Sequence, residues 1–255
     1  MVSDDRRQEL LRDYFSARTE ELRKTYQRSD PTPADRLARR RLKRAVAALC
    51  HHVPVGGRVL DLGCGCGLAA STLAELGYKV TAVDIVPELI EAARSDSSAE
   101  VTWLCQPFDA KVGEPQSFDA VLSLGFLEYQ ERAGKELVRM RRLLRPGGLL
   151  LLSVPNTLSA RFAFGMSRAL FRLGREPEGI MVRHSFTPER LQRLLGMAGF
   201  ITMDYEWLPQ GEGDSPLAKD RRRDVWNHRL KLRTAPEIFS LSRTYKPQDT
   251  STTCD

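Results

Sequence analysis

No apolar run in this 255-residue chain is long enough to span a bilayer. Its opening, Met1-Val2-Ser3-Asp4-Asp5-Arg6-Arg7, is charged and lacks the apolar core of a secretory signal. A cytoplasmic location is therefore expected. The five cysteines are an odd number and show no disulfide framework, which fits a reducing compartment. Cys64 and Cys66 lie close together but have no histidine nearby, too few ligands for a structural metal, and none is expected. There is no phosphate loop, because no glycine turn ends in Gly-Lys-Ser/Thr. Internal repeats are absent. Only the positive charge is in excess, at a formal +6. That surplus permits an anionic partner, including an anionic membrane surface touched peripherally. Its densest cluster is Arg39, Arg40, Arg41, Lys43 and Arg44, mostly outside a buried stripe of Leu42, Ala45, Val46 and Leu49. No aromatic stacking platform is interleaved, so the cluster reads as a solvated helix face and nucleic acid is not expected.

The length suits one sizeable α/β domain with a small cap, and a hydrophobic fraction of 42% is ordinary for a globular chain. Helical spacing predicts a helix over 5–28 and, after the break Ser29-Asp30-Pro31-Thr32-Pro33, a second to about Leu49. Strands and helices then alternate. Strands are predicted at 58–62, 79–84, 101–105, 118–124, 149–154, 200–208 and 238–245. Helices fall at 68–76, 87–95, 132–144 and from Pro188 to Gly199, with Thr187 as a cap. This alternation predicts a Rossmann-like, doubly wound, mostly parallel seven-stranded sheet with N-terminal helices and a helical insertion after the fifth strand. The expected organisation is a helical cap over 1–50, a main domain over 51–246 with an insertion at 156–183, and a disordered tail over 247–255.

The most informative segment is Val59-Leu60-Asp61-Leu62-Gly63-Cys64-Gly65-Cys66-Gly67. A short apolar strand ends in an acid, three glycines alternate with small residues, and a helix begins. The glycines allow a ligand close to the backbone and permit positive φ. The last glycine comes one residue too early for a dinucleotide fingerprint. Asp84 closes the second predicted strand and Asp109 follows the third. Three acids at successive strand ends after a glycine turn lie where open parallel sheets bind ligands.

Residues 55–155, and more loosely the chain through Phe200, resemble the class I S-adenosylmethionine-dependent methyltransferases. Asp61, Gly63, Gly65 and Gly67 match the first motif of that family, Asp84 the second and Asp109 the third. Phe118-Asp119-Ala120-Val121 matches the fourth strand, and Leu144-Arg145-Pro146-Gly147-Gly148 the turn before the fifth. Arg183-His184-Ser185-Phe186-Thr187-Pro188 and Ala198-Gly199-Phe200 resemble a stretch of the small-molecule members, among them quinone-pathway O-methyltransferases. The resemblance implies S-adenosylmethionine as cofactor. The turn with Cys64 would hold its methionine part, Asp84 its ribose hydroxyls and Asp109 its adenine amine. Ile85 and Phe108 would pack on the adenine ring, and backbone groups of Leu124 and Gly125 would meet the amino group. One departure is Tyr129, which stands in Leu127-Glu128-Tyr129 where many relatives have Leu-Glu-His.

The expected reaction is methyl transfer to a small-molecule acceptor, with a hydroxyl oxygen as the acceptor atom. A hydroxyl nucleophile benefits from a base, and His184 is the candidate. Tyr129 is a second pocket candidate, as wall or hydrogen-bond donor. The N-terminal helices and residues 156–183, with Phe162, Phe164, Met166 and Phe171, would form a lid. Two other readings stand beside this one: a nucleic-acid or protein N-methyltransferase, and a non-catalytic cofactor-binding partner subunit. Leu124-Gly125-Phe126-Leu127 stands where base-amino methyltransferases carry Asn/Asp-Pro-Pro-Tyr/Phe, which counts against the first.

Overall fold

A computed structural model of the chain describes residues 4–26, 28–109, 111–157, 184–208 and 237–245. The tail over 247–255 lies outside them, as does the expected insertion apart from Asn156 and Thr157. Seven strands form one sheet: β1 (Arg58–Leu62), β2 (Lys79–Asp84), β3 (Val101–Cys105), β4 (Phe118–Leu124), β5 (Leu144–Pro155), β6 (Phe200–Leu208) and β7 (Glu237–Thr244). Their order is β3-β2-β1-β4-β5-β7-β6, with β7 antiparallel to both neighbours and every other pair parallel. The helices are α1 (Asp4–Ser16), α2 (Thr19–Lys24), α3 (Pro33–His52), α4 (Leu68–Glu75), α5 (Pro87–Asp96), α6 (Ala133–Leu143) and α7 (Pro188–Met197). The Rossmann-like fold class is as expected. Strand order reverses between β1 and β4, and such a switch point opens a crevice at the carboxyl ends of the strands.

The strand residues alternate between two apolar layers. On one face Leu60, Leu62, Val121, Leu150 and Leu152 meet Leu137 and Met140 of α6 and Leu191 and Leu195 of α7. On the other, Val59, Ala120, Leu122, Leu149 and Leu151 meet Ala45 and Leu49 of α3 and Ala70 and Leu73 of α4. Burial on both faces explains why these strands read as continuous apolar runs.

The expectation of a single first helix over 5–28 is corrected. The chain breaks at Ala17-Arg18, where the Arg18 amide bonds back to the Phe15 carbonyl in a tight turn, and α2 starts anew. The fifth strand begins at Leu144 rather than Leu149, because Leu144 already pairs with Phe118 before the register shifts around Pro146-Gly147-Gly148. A 3-10 turn, Leu127–Tyr129, follows β4. Thr187 caps α7 as expected, its side chain accepting the Arg190 amide.

The reading of the α3 cations as a solvated face is also corrected. The helix starts with a capping box in which Thr32 and Asp35 satisfy each other's backbone amides. Arg39 then donates to the carbonyls of Thr25 and Arg28, Arg41 pairs with Glu237, and Arg44 pairs with Glu206. These guanidiniums tie α3 to its neighbours, which leaves them little to offer a polyanion.

Candidate cofactor cleft and active site

A cleft of about 1330 Å3 lies at the carboxyl ends of the strands. Asp61, Gly63, Cys64, Gly65, Gly67, Asp84, Ile85, Phe108, Asp109, Leu124, Gly125 and Tyr129 all line it. The sequence had scattered these residues over four strand ends, and the topology brings them together. Helices α1 and α2 roof the cleft. Arg12 donates to the Ile85 carbonyl at 3.2 Å, and Arg23 forks onto Asp96 at the end of α5.

The glycine turn serves two purposes. All three glycines have positive φ, +69°, +54° and +73° at Gly63, Gly65 and Gly67. A Cβ on Gly67 would strike the Trp103 ring at 2.4 Å and Ala93 at 2.7 Å, so this glycine is needed for packing. A Cβ on Gly65 would meet nothing within 4 Å, because it would project into the cleft. Gly65 therefore leaves room for a ligand.

Asp84 is held by the turn it serves. Its Oδ2 accepts the Gly65 amide at 2.9 Å and its Oδ1 the Val86 amide at 3.0 Å. Each carboxylate oxygen keeps a second lone pair for a ligand hydroxyl. Burial pushes its carboxyl up, against the pull of these amides. Asp61 is more deeply placed, 3% exposed, and its Oδ2 has no hydrogen-bond partner. Burial and the neighbouring Asp84 push its carboxyl up to about 7, while Arg41 holds it down.

At the adenine end expected from the sequence, Phe108 and Phe126 meet edge to face with ring centres 5.9 Å apart. Asp109 Oδ1 accepts the Lys111 amide at 2.8 Å, which fixes its loop. Tyr129, whose amide donates to the Phe126 carbonyl, packs edge-on against Phe15 of α1, with centres 5.3 Å apart. His184 does not line the cleft. It stands behind the Leu127–Tyr129 turn, its amide donating to the Glu128 carbonyl at 2.7 Å. Its buried Nε2 has no partner, and burial, Arg7 and Arg190 hold the imidazole below its ordinary range.

Two cleft residues escaped the sequence reading. Arg41 reaches from α3 over Gly125, where an added Cβ would lie 2.9 Å from Nη1. Its side chain is 20% exposed and its Nη1 lies 3.3 Å from Oε1 of Glu237, the first residue of β7. The signal was in the period: Arg41 precedes Ala45 by four residues and Leu49 by eight, so it shares their inward face. A cation on a buried stripe needs a carboxylate. Glu237 gave no comparable signal, because it follows a long polar stretch without periodicity.

The family described as "Methyltransferase domain" matches residues 34–203. The chain belongs to that family. It is 32% identical over 199 residues to the ubiquinone biosynthesis O-methyltransferase of Xanthomonas axonopodis pv. citri, covering 76% of this chain and 78% of the relative. The Xanthomonas campestris pv. campestris protein of the same name is also 32% identical, over 197 residues, covering 75% and 77%. Among solved structures, the magnesium protoporphyrin IX methyltransferase of Synechocystis PCC 6803 superposes with a TM-score of 0.69 at 19% identity, covering 92% of this chain and 98% of that one. The Burkholderia thailandensis 1,6-didemethyltoxoflavin-N1-methyltransferase does so at 0.65 with 21% identity, covering 96% and 92%. The fold is shared with both. The chain is an S-adenosylmethionine-dependent methyltransferase. Among the described residues no group could hold a metal ion, and no helix is long and apolar enough to cross a membrane.

Proposed function

We propose that the cleft binds S-adenosylmethionine and directs its methyl to a hydroxyl oxygen of a small-molecule acceptor. The observation that carries this reading is the unpartnered, buried Asp61 oxygen beside an open glycine turn and a guanidinium. A zwitterionic amino-acid moiety fits that arrangement, its ammonium on Asp61 and its carboxylate on Arg41. Asp84 takes the ribose hydroxyls, Ile85 and Phe108 sandwich the adenine, and Asp109 accepts its amine. When bound, the cofactor supplies a methyl group already activated on a sulfonium. The protein aligns the acceptor oxygen and excludes water, with α1 and α2 as the roof. Tyr14, Phe15, Phe126 and Tyr129 line the cleft and suit an aromatic acceptor. The ubiquinone O-methyltransferase relatives support oxygen as the acceptor atom.

The raised Asp61 carboxyl makes binding pH-dependent. Its value near 7 in the fold lies above that of an unfolded aspartate, about 3.9, so the fold retains a proton across that window. That contribution to stability is full below about 4 and is lost as pH rises through 7. A protonated Asp61 cannot pair with an ammonium, so affinity runs the other way. S-adenosylhomocysteine should bind more tightly as pH rises from 5.5 to 7 and level off above. Calorimetric titration across that range checks this, and Asp61→Asn should flatten the curve.

His184 acts in this reading by holding the Leu127–Tyr129 turn through its backbone, so His184→Ala should change turnover by less than about tenfold. A loss of roughly 10²–10⁴-fold, with an acidic limb below the ordinary histidine range gone from the rate profile, would make the imidazole the base instead. The function itself is tested by transfer of tritiated methyl to a panel of phenols, carboxylic acids and amines. Label in O-methyl products is the expected result. Label in RNA or protein substrates alone would overturn it.

A further inference from the structure

We propose that Glu237 is the acceptor-binding carboxylate of this methyltransferase, its Oε2 receiving the hydroxyl of a phenolic acceptor. This rests on the oxygen-transfer reading above and assigns it a residue. Glu237 opens β7, in register with Pro155 of β5 and Leu208 of β6. That places it at the ligand-binding edge of the sheet, beside Pro155 and Asn156, which line the same cleft. Its side chain is only 5% exposed. Oε1 meets Arg41, but Oε2 is buried without a hydrogen-bond partner. A pair meant only to neutralise Arg41 would engage both oxygens in a fork. Leaving one oxygen unmet in a buried site is costly unless a donor arrives with a ligand.

The strand order says which ligand. The expected adenine and ribose groups follow β3 and β2, and the glycine turn follows β1. The sulfur lies between the ribose and the amino-acid end, so the acceptor must approach it from a wall of the cleft that neither end takes, and β5 and β7, next in the strand order after β4, supply that wall. The polar groups of the cofactor have partners elsewhere in the cleft, in Asp61, Asp84, Asp109 and Arg41. The remaining donor is the acceptor. As its oxygen bonds the methyl carbon, its proton passes to Oε2 and the carbon–sulfur bond breaks with the electron pair on sulfur. The carboxylate loses one negative charge and the sulfur one positive charge, so the step balances. A carboxylate within hydrogen-bond reach of the hydroxyl suits this role.

Two variants of the whole protein, Glu237→Gln and Glu237→Asp, compared with wild type, test the assignment. Glutamine keeps an oxygen for Arg41 but cannot take a proton. S-adenosylhomocysteine affinity, by calorimetry, also reports that each variant has folded. In Glu237→Gln it should stay within about threefold of wild type. Catechol binding to the S-adenosylhomocysteine-loaded protein, by saturation-transfer NMR, should weaken about tenfold or more in this variant. Tritiated methyl transfer to catechol should fall by roughly 10²–10⁴-fold, with part regained in Glu237→Asp. Catechol and phenol binding unchanged in Glu237→Gln, or absent from wild type, would overturn the assignment. So would weaker S-adenosylhomocysteine binding with turnover unchanged at saturation, which would make Glu237 only the counter-ion of Arg41. Failure of the oxygen reading looks different: wild type would methylate anilines and no phenol, while phenol binding still required Glu237.

Discussion

Replacing Arg41 with methionine should cost the protein its cofactor. The substitution keeps the stem that packs along α3 and removes the charge over Gly125. Glu237 and Asp61 would then face each other's field in a largely buried place with no cation between them. Removing one partner of such a pair costs more than the pair contributes, because the other charge stays buried. The cofactor's carboxylate would lose its guanidinium and meet two acids. Together these effects are worth on the order of 3 kcal/mol, more than a hundredfold in Kd. S-adenosylhomocysteine titration reads the loss directly. Arg41→Met with unchanged affinity would remove Arg41 from the cofactor site and leave it a tie between α3 and β7.

Asp84→Ala should weaken the cofactor by about 1.5–3 kcal/mol, or roughly ten- to 150-fold. The effect has two parts. The ribose loses a charged acceptor, and the Gly65 amide loses the oxygen that holds the turn. Gly65→Val should lower affinity further, by filling the space where the ligand approaches. Because a Cβ there touches no protein atom, the cost to folding is confined to the positive φ, about 1–2 kcal/mol. Gly67→Val should do the reverse, damaging the fold by driving into Trp103. Thermal melts beside calorimetry separate the two. Equal melting temperatures with equal affinities in both glycine variants would contradict the division of roles.

The sheet was legible because its central strands, β1, β4 and β5, are apolar on both faces and its ligand-side ends carry distinctive residues. Asp61, Asp84 and Asp109 could be picked out because an acid at or just after the end of an apolar strand has few reasons to be there. Strand order supplied what sequence could not, the gathering of those ends into one cleft. The break at Ala17-Arg18 was invisible, since Leu22 and Tyr26 continue the helical spacing of Leu10 and Tyr14 across it. Arg41 was hidden by its neighbours. In a run of five cations, charge density suggested solvent, and only the spacing to Ala45 and Leu49 marked one of them as inward. Glu237 depends on a pairing between β7 and β5 that is distant in sequence, so no local pattern announces it. His184 was singled out by its place between the expected insertion and α7, and sequence position did not reveal that its backbone ties down the Leu127–Tyr129 turn.

The proposed function requires one cleft to hold the methyl donor across β2, β1 and β4 with its sulfur open toward β5 and β7. A crystal structure grown with S-adenosylhomocysteine tests it most directly. The expected result has both ribose hydroxyls on Asp84, the ammonium on Asp61, the carboxylate on Arg41, and the sulfur open toward Glu237. A ligand bound away from the glycine turn, or with its sulfur toward Phe108, would contradict it.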